Sequence, residues 1–536
     1  MSNKKGKKSN TPASLAISEE DKVSVEKRKQ LSQEAALYYQ ENNVPQAIQI
    51  LLNEMFFKQP KDTNGYITRF FSSRALNPII DHFESVKAID ANCNPATKVL
   101  LFAIVKGECE LVAESTVSDN FCFIDLENSL SHSNSSITTS KHNLEPQSQT
   151  SPEHVPPPQT MSIEDIIKLF STTLGEKNLN SLKEALISVS TNSQHIQPSI
   201  LLALSQSLIT GLSNTTSTPL YQTIAGIGTE EIANKYTIPH PMYHMLDGRG
   251  GKSNIADFFI TISPNIQLLD ALKYAKTFYD KLKHSVKLTS PLMYDGAIKY
   301  NIDKLEQGIE LLTETAKELE LRLGEDVYIV VNADAGVRWD GEKNKYEINT
   351  GQWKSSSELV EYLNEVIRNH PKAVLGIFNA FYEGDITGYS AFNKSHPSIV
   401  LFQNNRDSIE KIRADLRPPE PDDKNEEVGN TNSFVLSKRI ELPLHVWIED
   451  SKKRKDPLKE LGFALMHDPN TEVCSSFNVD LITGLNGSFF QVGSPRDKGT
   501  SMSLSRILNI GEELKSKKIL KENNLLLQVF TNLNHT

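Results

Sequence analysis

The stretch Tyr328–Gly336, which reads YIVVNADAG, decides the fold class of this chain. Its first four residues are apolar on both faces and mostly β-branched, which predicts a strand buried in a parallel sheet. One acidic residue, Asp334, follows, and small residues come after it. Asp334 therefore either caps a loop or marks a ligand site at the end of the strand.

The segments around this strand repeat the same pattern. An amphipathic helix is predicted over Asn301–Leu323, and an exposed turn over Asp340–Lys345 follows the strand. A second helix, Ser355–Asn369, then leads into a new apolar strand, Ala373–Ile377. Repeated β–α units over about 250 residues predict an α/β barrel of parallel strands. Such barrels place their metal ligands at the C-terminal ends of strands, where Asp334 stands.

Composition and charge exclude several classes of protein. Of the 536 residues, 38% are hydrophobic and 23% charged, which is typical of a globular protein with several cores. The net charge of −10 argues against a nucleic-acid binder, whose affinity depends on excess Lys and Arg. Apolar runs such as Val99–Val105 are too short to span a bilayer, and no secretory signal is recognisable. We expect a cytoplasmic protein that binds neither nucleic acid nor membranes.

The cysteines show no pattern of a disulfide framework or a zinc site. None of them forms a Cys-x-x-Cys pair, so reduced thiols in a cytosolic protein are expected. The four positions are Cys93, Cys109, Cys122 and Cys474.

Residues 1–28 are polar and basic, which predicts a disordered tail. The tail is either solvated or able to touch an acidic surface such as the tubulin tails.

A helical hairpin is predicted over residues 29–75. Asn42-Asn43 breaks it, and Pro45 stands in the first turn of the second helix, where a missing N–H is harmless. Two helices of this size cannot bury an apolar stripe alone, so dimerisation or docking is expected. The docking stripe consists of Val44, Ile48, Leu51 and Met55.

The hairpin resembles the dimerisation and docking helices of the Dpy-30 and regulatory-subunit-II families. The matching residues are Tyr38-Tyr39, Val44-Pro45-Gln46-Ala47, Leu51-Leu52 and Pro60-Lys61-Asp62. In those families a four-helix dimer offers a groove to an amphipathic partner helix. The resemblance implies protein partners, either a second copy or an amphipathic helix. The alternative is a plain hairpin packed on the next domain.

Two further domains are predicted. Residues 76–237 read as antiparallel strands followed by helices, with a disordered insertion at about 127–160 that is rich in Ser, Asn and Pro. Residues 238–536 carry the barrel pattern, with an insertion at about 414–460. The basic run Lys452–Lys455 in that insertion is either a nuclear signal or docking patch, or part of a solvated loop.

Several short segments follow one another in the order in which the enolase family carries them. Asp90, Asn94 and Pro95 resemble the family's N-terminal strand motif, and VVNADAG with KYEI resembles the strand and turn that carry its first metal aspartate. The other matches are Pro219-Leu220-Tyr221 with Ile224-Ala225, then Pro239, Pro241, Asp247 and Gly248, and finally Ser494, Arg496, Thr500 and Gly511. The resemblance covers most of residues 85–530. It implies the enolase fold, a small α+β domain followed by an eight-stranded α/β barrel.

The resemblance also implies a chemistry. Enolases remove a proton next to a carboxylate and stabilise the intermediate with Mg²⁺, which needs hard oxygen ligands. The family supplies three carboxylates from successive strands. Asp334 matches the first, but the second falls on Phe378 and the third on Phe402 and Gln403. A phenyl ring cannot ligate Mg²⁺, so we expect no cofactor unless the remnant site still binds the ion.

The other catalytic positions are altered too. The family's basic lysine falls on Met466, or on Lys438 if the insertion shifts the register. The carboxylate pair that serves the leaving hydroxyl falls on Asp257 and Asp295, each one methylene shorter. The substrate-binding Arg is kept as Arg496. The mobile lid has no counterpart in the segment VAESTVSDN, the histidine before the Arg is a proline, and another histidine falls near a glycine in a shortened loop.

An enolase-like barrel behind a Dpy-30-like hairpin resembles the sperm-type branch of the enolase family. We therefore expect a catalytically degenerate scaffold of the ciliary or flagellar axoneme, tied to sperm motility and docked through its N-terminal helices. The alternative is an active glycolytic phosphopyruvate hydratase that borrows Mg²⁺ ligands from acids such as Glu383 or Asp385.

Overall fold

A computed structural model describes much of the chain. The described residues are 19–90, 94–119, 161–191, 196–228, 234–248, 257–286, 291–349, 351–416, 433–452, 462–466, 476–522 and 530. The predicted insertion at 127–160 lies outside them. The chain divides into two compact units, Met1–Leu76 and Asn77–Thr536. Within the described part, every helix is too short or too polar to cross a membrane.

The first unit is a set of three helices: α1 (Glu19–Glu41), α2 (Val44–Lys58) and α3 (Thr63–Ser72). The predicted break between the first two is present, because Asn43 adopts a left-handed conformation with a φ of 52°. Asparagine tolerates this conformation better than most residues. The prediction of a disordered tail through residue 28 is wrong from Glu19 onwards. Glu, Lys and Arg are good helix formers, so a polar composition there does not exclude a helix.

The small α+β domain begins the second unit. Three antiparallel strands in the order β1-β2-β3 pack beneath helices, and one of these, α6, is buried on nearly all sides. The predicted turn at Lys106-Gly107 joins β2 to β3, since both residues have a positive φ. The elements are β1 (Ile79–Ile89), β2 (Pro95–Val105), β3 (Glu108–Ser118), α4 (Ile163–Leu174), α5 (Leu182–Thr191), α6 (Pro198–Thr216) and α7 (Leu220–Gly226).

The barrel follows, and it confirms the predicted fold class. Eight strands form a closed ring in the order β4-β5-β7-β11-β12-β13-β14-β15, and β15 pairs with β4. A short strand, β6 (Ile298–Lys299), pairs with β4 outside the ring. The ring strands are β4 (His240–Asp247), β5 (Asp257–Ile262), β7 (Val327–Asn332), β11 (Val374–Phe378), β12 (Val400–Gln403), β13 (Phe434–Lys438), β14 (Gly462–Leu465) and β15 (Phe489–Val492). As predicted, the strand that begins at YIVVN lies in the ring, between β5 and β11.

One ring strand departs from the predicted parallel arrangement. Strand β5 runs antiparallel to both β4 and β7, while the remaining ring neighbours are parallel. Only residues 248–256 separate β4 from β5. A parallel connection needs a crossover of a dozen or more residues, so the chain must reverse here.

Helices cover the outside of the ring, and a small three-stranded sheet follows β7. The helices are α8 (Leu268–Ser285), α9 (Leu305–Glu318), α10 (Ser356–Asn369), α11 (Ile386–Ser395), α12 (Arg406–Asp415), α13 (Leu444–Lys452), α14 (Ser476–Gly484) and α15 (Lys498–Ser516). The small sheet consists of β8 (Trp339–Asp340), β9 (Lys345–Asn349) and β10 (Gln352–Lys354).

The predicted insertion at 414–460 is too long. Ring strand β13 and helix α13 lie inside that range, while residues 417–432 and 453–461 lie outside the described part. Polar residues flank the short apolar run of β13 and hide its signal. Lys452, the first residue of the basic run, donates hydrogen bonds to the carbonyls of Ile224, Ala225 and Ile227 at the end of α7.

Gly376 of β11 offers a test of the ring packing. A Cβ at this position would lie 2.7 Å from the carbonyl oxygen of Val400 and 2.8 Å from the Phe402 ring. We expect Gly376→Ala to lower the free energy of unfolding by about 1–3 kcal/mol, because the strand must shift to make room. Gly226→Ala is the matched control, since nothing lies within 4 Å of its added Cβ. Equal denaturant midpoints for the two variants would contradict this packing.

Candidate functional site

The C-terminal ends of the ring strands form the mouth of the barrel, where the predicted site residues stand. Asp334 lies two residues after β7, half-buried and in a left-handed conformation with a φ of 47°. It precedes a 3₁₀ turn, which its side chain does not cap. Asp and Asn are the residues that most readily adopt this conformation. Backbone geometry therefore gives a reason for an Asp at position 334 that is independent of metal binding.

Two phenyl rings occupy the neighbouring strand ends. Phe378 ends β11 and Phe402 stands in β12, and the two are register partners. Their rings stack with centroids 3.9 Å apart and an interplanar angle of 15°, and both side chains are fully buried. Stacked rings of this kind contribute dispersion and area burial, and they offer no lone pair to a cation.

The stack belongs to an aromatic column that crosses the barrel interior. Phe259 of β5 lies 6.4 Å from Phe378, and Phe489 of β15 lies 5.4 Å from Phe402. At one end His244 of β4 stacks on Phe259 at 4.7 Å. The column joins β4 and β5 to β11, β12 and β15, and its phenyl rings form part of the buried core of the barrel.

His244 brings together the two acids that the sequence predicted as remnants. Its Nδ1 lies 2.6 Å from Oδ2 of Asp295, and its Nε2 lies 3.5 Å from Oδ1 of Asp257. The side chain of Asn332 donates a hydrogen bond to the other oxygen of Asp257 at 3.1 Å. All three side chains of the Asp295–His244–Asp257 cluster are buried.

The cluster is an internal ion pair with two acids and one base. Complete burial disfavours the charged imidazole, but the charges and hydrogen bonds of Asp295 and Asp257 outweigh this, and the pKa of His244 is raised to about 10. His244 is therefore an imidazolium at neutral pH. The two carboxylates are engaged with this cation, as they must be when charges are buried.

Two residues, Met466 and Lys438, were predicted as alternatives at the position of the family's catalytic lysine. Met466 is buried and follows β14, where a thioether serves as packing. Lys438 ends β13, and its ammonium donates a 2.5 Å hydrogen bond to Asp450 of α13. Lys438 is therefore engaged with a carboxylate on the neighbouring helix.

Arg496 is directed to an exposed partner. Its guanidinium donates two hydrogen bonds to the carboxylate of Asp280 on α8, and the Arg496 side chain is 50% exposed. The segment VAESTVS, at the position of the family's lid, forms most of strand β3. The glycine at the place of a family histidine, Gly251, lies outside the described residues.

The acids considered as borrowed ligands, Glu383 and Asp385, are engaged in the loop after β11. Asp385 accepts a 2.7 Å hydrogen bond from the hydroxyl of Tyr346 and a 2.8 Å bond from the backbone N–H of Gly388 at the start of α11. Glu383 accepts a 3.3 Å bond from Asn405. The ring of Tyr346 in turn packs against Trp339, with centroids 4.6 Å apart.

The residues at the mouth do not fit the two-ion magnesium chemistry of the enolase family. Asp334 offers one hard oxygen ligand, and the adjacent strand ends offer the rings of Phe378 and Phe402. Mg²⁺ demands near-octahedral oxygen coordination, to which these rings contribute nothing. Over the described ranges, the one group of three or more His, Cys, Asp or Glu side chains with ligand spacing is Asp81, His82 and Cys109, in the α+β domain.

Sequence reasoning missed His244, and it used Asp247 only as a match to the family without counting it among the site residues. Asp247 is buried and is the register partner of Asp257 across β4 and β5. The signal was present: His244 interrupts an otherwise apolar run in PMYHML. A lone polar residue inside a buried strand indicates a partner in the core.

The cluster predicts a pH dependence of stability. The folded pKa of His244 lies above its ordinary value of 6.5, so its stabilisation is complete below that value and is lost as pH rises through about 10. We expect His244→Gln to lower the free energy of unfolding by about 3–5 kcal/mol at neutral pH, because two buried carboxylates lose their cation. Chemical denaturation at several pH values measures this difference.

The difference between wild type and His244→Gln should shrink as the pH approaches 10. His284→Gln, at the end of α8, is the matched control and should alter neither the free energy nor its pH dependence. A difference that stays constant from pH 6 to pH 10 would show that His244 is neutral and acts through packing alone.

Comparison with known proteins shows which proteins this chain resembles. Residues 235–404 match the family described as "Enolase, C-terminal TIM barrel domain". Over nearly the whole chain the protein is similar to "Enolase 4" of three vertebrates. The identity is 23% for Xenopus laevis (91% of this chain and 92% of the relative), 21% for Danio rerio (94% of each) and 20% for Homo sapiens (90% and 88%).

These similarities span the α+β domain and the barrel together, in the order that the fold shows. The family model matches residues within the barrel, and the similarity to the Enolase 4 proteins extends over nearly the whole chain. This chain is therefore an enolase-like protein of the fourth-paralogue type.

Proposed function

We propose that this protein is a catalytically degenerate enolase-like scaffold, a structural component of the ciliary or flagellar axoneme that docks through its N-terminal helices. The observation that carries the proposal is the stack of Phe378 on Phe402, with ring centroids 3.9 Å apart. The rings stand where the resemblance places two of the three metal carboxylates of an active enolase.

The charge arrangement supports the same conclusion. Asp257 and Asp295, the remnants of the acid pair, share the buried imidazolium of His244. Lys438 is paired with Asp450, and Arg496 with Asp280. Catalytic groups act as a unit, so the loss of metal ligands and base together removes most of the rate enhancement.

The alternative function is an active phosphopyruvate hydratase with borrowed ligands. It requires Glu383 or Asp385 to turn toward Asp334. Such a turn would break the hydrogen bonds that Asp385 accepts from Tyr346 and Gly388. It would also leave the hydroxyl of a buried tyrosine without its partner, which costs about 1–3 kcal/mol.

A hydratase assay distinguishes the two functions. We expect the purified chain, with Mg²⁺ and 2-phosphoglycerate, to form phosphoenolpyruvate no faster than buffer, because the residues at the mouth do not hold the ion. Absorbance of the enolpyruvate product measures the rate. An active enolase assayed in the same buffer is the positive control. Turnover that Asp334→Ala abolishes would establish the alternative function.

Docking is supported by the surface of the helical unit. On α2, Ile48 is 43%, Leu52 59% and Phe56 74% exposed, at spacings of four residues. This stripe (Ile48, Leu52, Phe56) is apolar and exposed, whereas Leu51 on the same helix is 5% exposed. Of the four predicted docking residues, Leu51 is buried and Val44 and Met55 are half-buried. Ile48 belongs to the exposed stripe.

The exposed stripe fits a second copy of the same helices. Burying a large apolar side chain is worth roughly 1.5–3 kcal/mol, so three such residues contribute appreciably to self-association. A second copy brings the same stripe, which makes a self-complementary interface. An amphipathic helix of another axonemal protein would use the groove of the resulting dimer, as the Dpy-30 resemblance implies.

Charge substitution in the stripe tests docking. We expect Leu52→Asp with Phe56→Asp to convert a dimer into a monomer in analytical ultracentrifugation, because each Asp would have to be desolvated at the interface. The melting transition of the barrel should not change. Leu51→Asp should instead disrupt the helical unit itself, since Leu51 is buried.

Gln46→Asp is the matched control, because Gln46 is exposed on the same helix outside the stripe. It should leave the oligomeric state unchanged. A wild-type chain that is monomeric and that still reaches the axoneme of ciliated cells without residues 1–76 would overturn the docking role.

A further inference from the structure

The α+β domain carries a cluster of three different ligand types that the enolase resemblance does not account for. Asp81 and His82 lie on β1 and Cys109 lies at the start of β3. Their potential ligand atoms all lie within 4.8 Å of one another. Oδ2 of Asp81 is 2.6 Å from Nδ1 of His82 and 3.5 Å from Sγ of Cys109. From this arrangement we infer that Asp81, His82 and Cys109 form a binding site for Zn²⁺ or a similar transition-metal ion.

A β-bulge creates the arrangement. Pairing of β1 with β2 shifts between Ile80 and His82, so Asp81 is the extra residue. In a regular strand Asp81 and His82 would point to opposite faces. The bulge places both on the outer face while Ile80 and Phe83 are buried. Such a bulge re-aims a side chain, and here it directs a carboxylate toward Cys109 on the far strand.

The backbone around the bulge is fixed on both sides. Strand β2 is hydrogen-bonded to one edge of β1, and the residues that follow α4 are hydrogen-bonded to the other edge. The N–H of Ile80 donates to the carbonyl of Lys177 at 2.8 Å, and the carbonyl of Ile80 accepts from Glu176 at 2.8 Å. Ser171 accepts a hydrogen bond from the N–H of Phe83 at 3.0 Å. A rigid strand holds ligands in place better than a loop does.

The histidine is also positioned by its surroundings. Its ring stacks on Phe102 of β2, with centroids 4.6 Å apart and an interplanar angle of 2°. Nδ1 faces Asp81, while Nε2 lies 3.5 Å from Oε1 of Glu84. Metal-bound histidines commonly donate their second N–H to a carboxylate, which orients the ring. Glu84 is placed for this supporting role when Nδ1 binds the ion.

The donor set selects the class of ion. One thiolate, one imidazole and one carboxylate match the S, N and O ligands of Zn²⁺, at about 2.0–2.3 Å from the metal. Ca²⁺ and Mg²⁺ require oxygen ligands throughout, so the cysteine disfavours both. The three side chains approach from one sheet surface and are partly exposed, which leaves the fourth tetrahedral position to water.

Ion binding would follow a simple proton balance. The thiol proton of Cys109 leaves as the ion binds, and neutral His82 carries its ring proton on Nε2, toward Glu84, so that Nδ1 is open to the ion.

Cobalt substitution tests the site in the untagged full-length chain. Co²⁺ bound by a thiolate shows a sulfur-to-metal charge-transfer absorption in the near ultraviolet. We expect one equivalent of Co²⁺ to produce this band and one equivalent of Zn²⁺ to remove it. Cys109→Ser should abolish the band. His82→Gln and Asp81→Asn should weaken Co²⁺ binding at least tenfold.

Two control variants separate this site from other donors. Cys474→Ser removes a different cysteine, and Glu114→Gln removes an exposed acid on β3 that pairs with Lys98. Both should retain the band and the affinity of wild type. The substituted side chains at the site are partly exposed, so circular dichroism should show folded variants. Absence of the band in wild type, or its persistence in Cys109→Ser, would overturn the proposal.

Discussion

Strand β15 closes the barrel by pairing Phe489–Val492 in parallel with His240–Tyr243 of β4. Closure leaves no exposed edge in the ring and encloses an interior that side chains from eight strands must fill. A close-packed interior tolerates neither voids nor unpaired charges. The aromatic column from Phe259 to Phe489, with the stacked Phe378 and Phe402 at its centre, meets this demand with apolar groups.

The same constraint explains the charges at the mouth. Phe378 and Phe402 offer no ligand atom to a cation beside the acids at the mouth. His244 supplies one positive charge from within the chain, and Asp257 and Asp295 share it. The buried acids at the mouth therefore have a cationic partner that belongs to the chain itself.

Outside the barrel, small local features decide what the surface can bind. The helical unit directs Leu51 inward and leaves Ile48, Leu52 and Phe56 in solvent, so three large apolar side chains of the same helix remain exposed. On the α+β domain a single extra residue in β1 turns Asp81 and His82 toward the same side. The docking surface and the metal site that we propose rest on these two local features.

The sequence by itself determined the fold class and the break at Asn43. Both depend on residue type and local periodicity, which a single chain displays directly. The family resemblance singled out Asp334, Asp257, Asp295, Phe378 and Phe402, but it could not show that His244 joins two of the acids, because that contact links β4 to distant segments. The reversal of β5 was not visible either, since strand direction depends on the length of the connection and on the neighbours of the strand. The cysteine spacing gave no metal motif, yet Asp81, His82 and Cys109 meet across three strands. Only the tertiary structure decided these contacts, because they are set by register and a bulge and not by spacing along the chain.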